Sequence, residues 1–177
     1  MTSCMAAPAT TTTDPLTLID FSSAAIQEAR IQNDVVMGGR SNSSFQIDDA
    51  GHGVFSGHVS LENNGGFASV ILPLAEPVDL TPYSSFQVRV KGDGKDYTLR
   101  VKDDENNRYW FQATFPTKVI ETWETVAIPF ASMHARFHGE PVDVPNFKGD
   151  RAVRFQLLIG NKVEQDFEIA VDEIFAL

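Results

Sequence analysis

Strict alternation of apolar and polar side chains is the feature that most limits how this chain can fold. In residues 86–91, Phe86, Val88 and Val90 occupy every second position, and residues 96–102 and 108–115 repeat the period. Successive side chains of a β-strand point to opposite faces, so this period predicts strands with one buried face. GDGK at 92–95 and DDENN at 103–107 separate the segments and predict turns. The three segments therefore predict an antiparallel meander.

The same reasoning predicts strands along the rest of the chain. About ten strands at this spacing are typical of an all-β sandwich. The additional strands are expected near 16–21, 44–48, 53–61, 67–72, 123–130, 153–159 and 166–176.

The remaining segments define one domain with a tail. Residues 1–15 are rich in Thr, Ala and Pro and predict a flexible N-terminal tail, followed by a single domain over 16–177. SSAAIQEA at 22–29 predicts a short helix. Residues 131–150 contain several turn formers and predict a long surface connection.

Composition argues against several kinds of partner. The net charge of −10 argues against nucleic acid and against anionic lipid, because both are bound mainly through Lys and Arg. No apolar run approaches the ~20 residues of a membrane span. Cys4 is the single cysteine, and the first residues lack the basic and apolar regions of a secretory signal. We therefore expect a cytoplasmic protein without disulfides.

Sequence motifs of catalysis or metal binding are absent. The chain contains no GxSxG, HExxH or P-loop motif. His134 and His138 are four residues apart, but no helical pattern would bring them together around a metal. Asp103, Glu105 and Asn107 have calcium-loop spacing without the later Gly and Glu, which favours a plain hairpin. We predict no catalytic site, no metal site and no cofactor.

A polar face is the main candidate for binding. The polar positions of the predicted strands carry six of the fourteen basic residues, together with Trp and Gln. This mixture binds polar ligands or acidic protein patches through hydrogen bonds and stacking, although a solvated outer face would have the same pattern. The candidate binding residues are Arg89, Arg100, Trp110, Gln112, Arg154 and Gln156, with Lys91, Lys102 and Arg108 completing the basic set.

The stretch NDVVMGGRS at 33–41 is the second candidate. Its glycines permit a sharp bend or a close approach to a neighbouring strand, and Asn and Asp can hydrogen-bond backbone to fix that bend. NNGGFAS at 63–69 indicates the same device. A structural bend and a ligand-lining loop both fit this pattern, and its residues are Asn33, Asp34, Gly38, Gly39, Ser41, Gly65 and Gly66.

These motifs together resemble a known family. NDVVMGGRS, then FSGHVSLENNGGFASV, YWFQATF, WETVAIPFASM, FHGEPV and a closing VDEI follow in order the complex I intermediate-associated protein 30 family, over roughly residues 18–176. The sequence departs from that family at Ile31, where Trp is frequent, and at His138, where Arg is frequent. The resemblance implies a galactose-binding-like jelly-roll sandwich without enzymatic activity. Mitochondrial relatives are chaperones for assembly of the membrane arm of respiratory complex I.

Two functional hypotheses follow from the polar face and the resemblance. The first is an assembly module, bacterial or otherwise stand-alone, that binds a protein partner through a polar concave sheet face; respiratory complex I assembly intermediates are the partners that the resemblance implies. The second is a module that binds a carbohydrate or another small polar ligand. In the second case the contacts would come from Trp110, Arg100, Gln112, Arg154 and Gln156.

Overall fold

The chain forms two antiparallel sheets. The computed structural model describes residues 13–22, 28–118 and 122–177, and in these ranges it contains thirteen strands and no α-helix. The strands are β1 (Leu16–Asp20), β2 (Arg30–Ile31), β3 (Asn42–Ile47), β4 (Gly53–Val59), β5 (Ala68–Asp79), β6 (Ser85–Lys91), β7 (Asp96–Lys102), β8 (Trp110–Pro116), β9 (Trp123–Pro129), β10 (His134–Phe137), β11 (Glu140–Pro141), β12 (Arg151–Ile159) and β13 (Gln165–Ala176).

Each sheet is completed by strands that are distant in sequence. The six-stranded sheet has the order β3-β4-β13-β6-β9, with β1 also paired to β13. The seven-stranded sheet has the order β11-β10-β8-β7-β12-β5-β2. The sandwich predicted from alternation is therefore confirmed, and all ten predicted strands occur.

The prediction of a three-stranded meander is wrong at its first connection. β7 and β8 form the expected hairpin, but β6 lies in the other sheet, between β13 and β9. The loop 92–95 therefore crosses between the sheets. Alternation did not distinguish these arrangements, because a strand of either sheet turns its apolar side chains toward the same core.

The predicted surface connection over 131–150 is also partly wrong. It contains the strands β10 and β11 at one end of the seven-stranded sheet, joined by a tight turn at which His138 and Gly139 both have positive φ. His134 lies on a strand and its ring contacts Asn146 Oδ1 at 2.9 Å. The predicted helix at 22–29 and the predicted tail at 1–15 lie mostly outside the described residues, and β1 begins at Leu16.

The core lies between the inner faces of the two sheets. Phe86 on β6 and Phe155 on β12 are fully buried, with ring centroids 5.1 Å apart, so they connect the two sheets directly. Phe130 and Phe147 pack on Phe86 from the connecting segments, at 4.6 and 5.8 Å. With this side of the seven-stranded sheet filled by apolar residues, its polar side chains lie on the outer side.

Candidate functional site

The centre of the outer side of the seven-stranded sheet is a row of polar residues on three adjacent strands. Gln112 on β8 lies opposite Arg100 on β7, and Arg100 lies opposite Gln156 on β12. Directly opposed residues of antiparallel strands present their side chains to the same face. We call this surface the polar face; its described members are Arg100, Lys102, Trp110, Gln112, Arg154 and Gln156.

Arg100 is held by the two glutamines. Its Nε donates to Gln112 Oε1 at 3.0 Å, and its Nη1 donates to Gln156 Oε1 at 3.2 Å. No described carboxylate lies within 4.0 Å of its guanidinium. Burial lowers the pKa of Arg100, because desolvation disfavours the charged form. The face thus holds a largely desolvated cation in a fixed orientation, with no counter-charge among the residues that the structure describes.

Gln156 is oriented by hydrogen bonds on its other side. It is only 3% exposed, and its Nε2 donates to Ser69 Oγ at 2.8 Å and to Gln32 Oε1 at 3.4 Å. Ser69 Oγ in turn donates to the Gln32 carbonyl oxygen. The amide nitrogen of Gln156 is therefore committed to β5 and to the segment after β2, which leaves its carbonyl oxygen for Arg100.

The second row of the polar face contains a paired cation and an aromatic ring. Arg154 lies opposite Lys102, and its Nε donates to Glu105 Oε1 at 2.8 Å. Lys102 Nζ lies 5.3 Å from the centroid of the half-buried Trp110 ring and donates to the Asn107 carbonyl at 2.6 Å. Arg154 is thus paired with a carboxylate, whereas Arg100 has no such partner in the part of the chain that the structure describes.

Arg89 does not belong to this face. It lies on β6, in the six-stranded sheet, where its Nε is 3.0 Å from Asp172 Oδ2. Arg89 and Lys91 each lie 5.9 Å from the centroid of Trp123 on β9. Grouping Arg89 and Lys91 with Arg100 is a consequence of the wrong meander. Arg108 lies just before β8, and its guanidinium is 4.9 Å from the centroid of the Phe137 ring on β10 of the same sheet.

Sequence reasoning missed several residues that lie on the outer side of this sheet or orient Gln156. Arg30 lies opposite Ile71, which in turn lies opposite Gln156, so Arg30 extends the central row. Arg136 lies opposite Trp110. A two-residue strand such as β2 has no readable period, and the alternation of β10 is hidden among turn formers. Gln32 and Ser69 carry no sequence signal beyond their polarity.

The glycine-rich motif is organised around the buried carboxylate of Asp34. This side chain accepts hydrogen bonds from Ser41 N at 3.0 Å, Gly66 N at 2.7 Å and Phe67 N at 3.3 Å, and from the Ser41 hydroxyl. Burial alone would raise the pKa of Asp34, but these hydrogen bonds outweigh it and lower the pKa below its usual value. Asp34 therefore joins the two glycine-rich stretches as an ionised group.

One glycine of each pair makes room for that carboxylate. A Cβ on Gly39 would lie 2.4 Å from Asp34 Cγ, and one on Gly65 would lie 2.6 Å from Asp34 Oδ2. Gly38 has a φ of +90° and ends the 3₁₀ turn Asp34–Met37. The predicted bend is confirmed, and both glycine-rich stretches contact the Asp34 carboxylate. Gly39, however, accommodates a side chain and not a strand backbone.

The motif also supports the polar face. Asn33 Oδ1 accepts hydrogen bonds from Ser69 N at 3.2 Å and from Ser43 Oγ at 2.8 Å. Ser69 is the residue that orients Gln156. Two consecutive hydrogen bonds, between Asn33 and Ser69 and between Ser69 and Gln156, thus connect the motif to the amide that holds Arg100. The side-chain oxygens of Asn33 and Asp34 and the Ser41 hydroxyl all take part in internal hydrogen bonds. This favours the structural interpretation of the motif over the ligand-lining one.

The geometry contains neither a metal cluster nor a membrane helix in the described parts of the chain. No group of three or more His, Cys, Asp or Glu side chains is placed to hold a metal there. No helix among those residues is long and apolar enough to cross a membrane. The loop acids Asp104 and Glu105 instead pair with Arg151 and Arg154.

Comparison with solved structures defines the class of fold. A family 11 carbohydrate-binding module from Clostridium thermocellum, in complex with a β-1,3-1,4-mixed-linked tetrasaccharide, superposes with a TM-score of 0.62 at 14% identity over 92% of this chain and 95% of that chain. A family 30 carbohydrate-binding module gives 0.61 at 13%, covering 92% and 98%. A family 29 module gives 0.56 at 10%, covering 92% and 84%. The fold is that of the jelly-roll sandwich modules.

The family is identified from sequence. Residues 19–171 match the complex I intermediate-associated protein 30 (CIA30) family, and the chain belongs to that family. No curated protein matches the chain. The family is associated with complex I assembly and the fold with binding modules, both typically non-catalytic.

Proposed function

We propose that this protein is a non-enzymatic assembly module that binds a protein partner through the polar face. The observation that carries the proposal is the Arg100–Gln112–Gln156 row, in which a desolvated guanidinium is fixed by two amides and faces outward. Membership of the CIA30 family supports assembly intermediates of respiratory complex I as the partners. The single cysteine supports a cytoplasmic location.

Several features of the polar face fit a protein partner. Arginine and tryptophan are enriched at the energetic centres of protein interfaces. Trp110, Arg100 and Arg154 lie on neighbouring strands of one rigid sheet. An interface on regular strands is pre-organised, so binding requires little ordering of the backbone.

The two tryptophans provide a matched test of this proposal. Both are half-buried and contact cations, but Trp110 lies on the polar face and Trp123 lies on the six-stranded sheet. Affinity capture from the native cells should use wild type, Trp110→Ala and Trp123→Ala as baits. We expect complex I assembly subunits with wild type and Trp123→Ala, and about tenfold less with Trp110→Ala, as for loss of an interface anchor.

Two results would contradict the proposal. Equal capture by the two variants would show that the polar face is not the docking surface. Recovery of no complex I component by wild type would remove the assigned partner. Circular dichroism melts of all three baits establish that they are folded.

A carbohydrate ligand is the second candidate. Two observations favour it: solved structures with a similar fold include carbohydrate-binding modules, and Trp110 offers a ring on the polar face. Stacking on an aromatic ring is a common mode of sugar binding, but the Lys102 ammonium already lies over the Trp110 ring. Calorimetric titration with a mixed-linked β-glucan tetrasaccharide tests it, and saturable binding lost in Trp110→Ala would favour this candidate.

A further inference from the structure

The contacts of Arg100 point to a specific partner chemistry, and we propose that this guanidinium binds a carboxylate of an acidic segment of the partner protein. The inference rests on the proposed function, because it concerns the same polar face. It adds a definite ligand group, an Asp or Glu side chain, and a definite receptor atom set on Arg100.

Several N–H donors of the Arg100 guanidinium are not used by its two glutamine partners. An arginine carries five N–H donors in a planar fork and no acceptor. Gln112 takes the Nε donor and Gln156 takes one donor of Nη1. Three N–H groups, including both on Nη2, have no acceptor among the described residues. A carboxylate oxygen of a partner can accept from these remaining N–H groups in charge-assisted hydrogen bonds.

Arg100 also lacks a counter-charge among the described residues. Desolvating a cation is costly unless an opposite charge and good hydrogen bonds compensate. The neighbouring arginines illustrate the ordinary solution, since Arg154, Arg151 and Arg89 each have a carboxylate partner. Arg100 is the more buried group and has none among the described residues. An external carboxylate would supply the missing charge without rearranging the two glutamines.

The outer side of the sheet around Arg100 is rich in basic residues. Arg30, Arg100, Lys102, Arg136 and Arg154 share the outer side of this sheet, and Glu105 pairs with one of them. The whole chain carries −10. An acidic segment is therefore repelled by the protein as a whole and attracted at this sheet, which gives it one orientation.

The cations beside Arg100 favour a carboxylate over a phosphate as its ligand. A phosphate carries more charge and is normally held by several converging cations or backbone N–H groups. Here Lys102 is occupied by the Asn107 carbonyl and Trp110, and Arg154 is occupied by Glu105. Arg30 lies on β2, three strands away from Arg100 in the sheet order, so it does not converge on the same point. Arg100, flanked by two neutral amides, therefore matches a single planar anion.

The test is a titration of the full chain followed by ¹H–¹⁵N NMR of the arginine Nε–Hε groups. The probe is a capped five-residue peptide in which two glutamates alternate with glycines, and the control peptide has glutamines in their place. Ionic strength is held constant with NaCl, because exposed ion pairs are screened. We expect a saturable shift of the Arg100 resonance with the glutamate peptide. The glutamine peptide should need at least about tenfold higher concentration.

Variants assign the effect to the guanidinium. Arg100→Met should abolish the response to the glutamate peptide, and Arg100→Lys should weaken it about fivefold or more, since an ammonium lacks the planar fork. Arg89→Met, the same change on the opposite sheet, should bind like wild type. If Arg100→Met does not fold, the wild-type titration still decides, because it reports the Arg100 atoms directly.

The failures of the two proposals are distinguishable. An unmoved Arg100 resonance, or equal response to both peptides, would overturn the carboxylate inference; capture that still depends on Trp110 would then leave the assembly function standing. Saturation by inorganic phosphate at lower concentration than the peptide would overturn it as well. Binding of trigalacturonate but not the peptide would assign the carboxylate to an acidic sugar, which overturns the protein segment proposed here.

Discussion

At the scale of single residues, the sequence correctly predicted that the glycine-rich motif forms a bend, but not that its glycines accommodate the Asp34 side chain. Sequence alone indicated that Asp34 and the glycines fix a bend. The structure adds that Asp34 is 1% exposed and that Gly39 and Gly65, which are 26 positions apart, leave room for its carboxylate. Such a long-range role has no local signature, because the partner Gly66 N is 32 positions away.

Asp34→Asn is expected to destabilise the fold by roughly 2–3 kcal/mol, because an amide places N–H donors against donors that need an acceptor. The effect should depend on pH. The pKa of Asp34 is lowered in the folded state, so its contribution is complete above the unfolded value of about 4 and is lost as pH falls through the folded pKa.

Urea unfolding at pH 6.5 and pH 3 checks this prediction. The difference in unfolding free energy between wild type and Asp34→Asn should be largest at pH 6.5 and smaller at pH 3. Asp49→Asn, at an exposed loop position, is the control and should be nearly neutral. A difference that stays constant across this range would show that ionisation of Asp34 contributes nothing.

At the scale of elements, periodicity predicted the positions of the strands better than it predicted which strands pair. Alternation located all ten longer segments, since a half-buried strand must show period two. It did not reveal that β6 and β7 belong to different sheets, because both bury their apolar side chains in the same core. Of the six predicted binding residues, five therefore share the polar face and Arg89 does not.

The pairing of β12 with β7 and β5 supplies the element-scale prediction. Gln156 bridges these strands by accepting from Arg100 and donating to Ser69. Gln156→Leu keeps the volume but leaves Arg100 and Ser69 without these partners, so we expect a loss of roughly 1–3 kcal/mol in unfolding free energy. Gln46→Leu, on the exposed edge strand β3, should cost much less. Equal costs in urea denaturation would mean that the bridge does not contribute to stability.

At the scale of the whole molecule, the contact between the sheets determines stability. Phe86 is fully buried and packs on Phe130, Phe147 and Phe155, which come from three separate segments. Phe86→Ala should lower the unfolding free energy by roughly 3–5 kcal/mol, through lost apolar burial and the cavity left behind. Phe137→Ala, at a half-buried position of β10, should cost less than half as much. Thermal and urea melts of both variants measure the difference, and similar costs would contradict a single central core.

The sheet order also has a consequence for synthesis on the ribosome. β13 is the common partner of β1, β4 and β6, and β12 is the common partner of β5 and β7. Both partners lie beyond residue 150, so neither sheet can close while the preceding strands emerge. Apolar strand faces such as that of β6 must wait unpaired for the last segments to arrive. The nascent chain is therefore most exposed to aggregation just before its translation reaches β13.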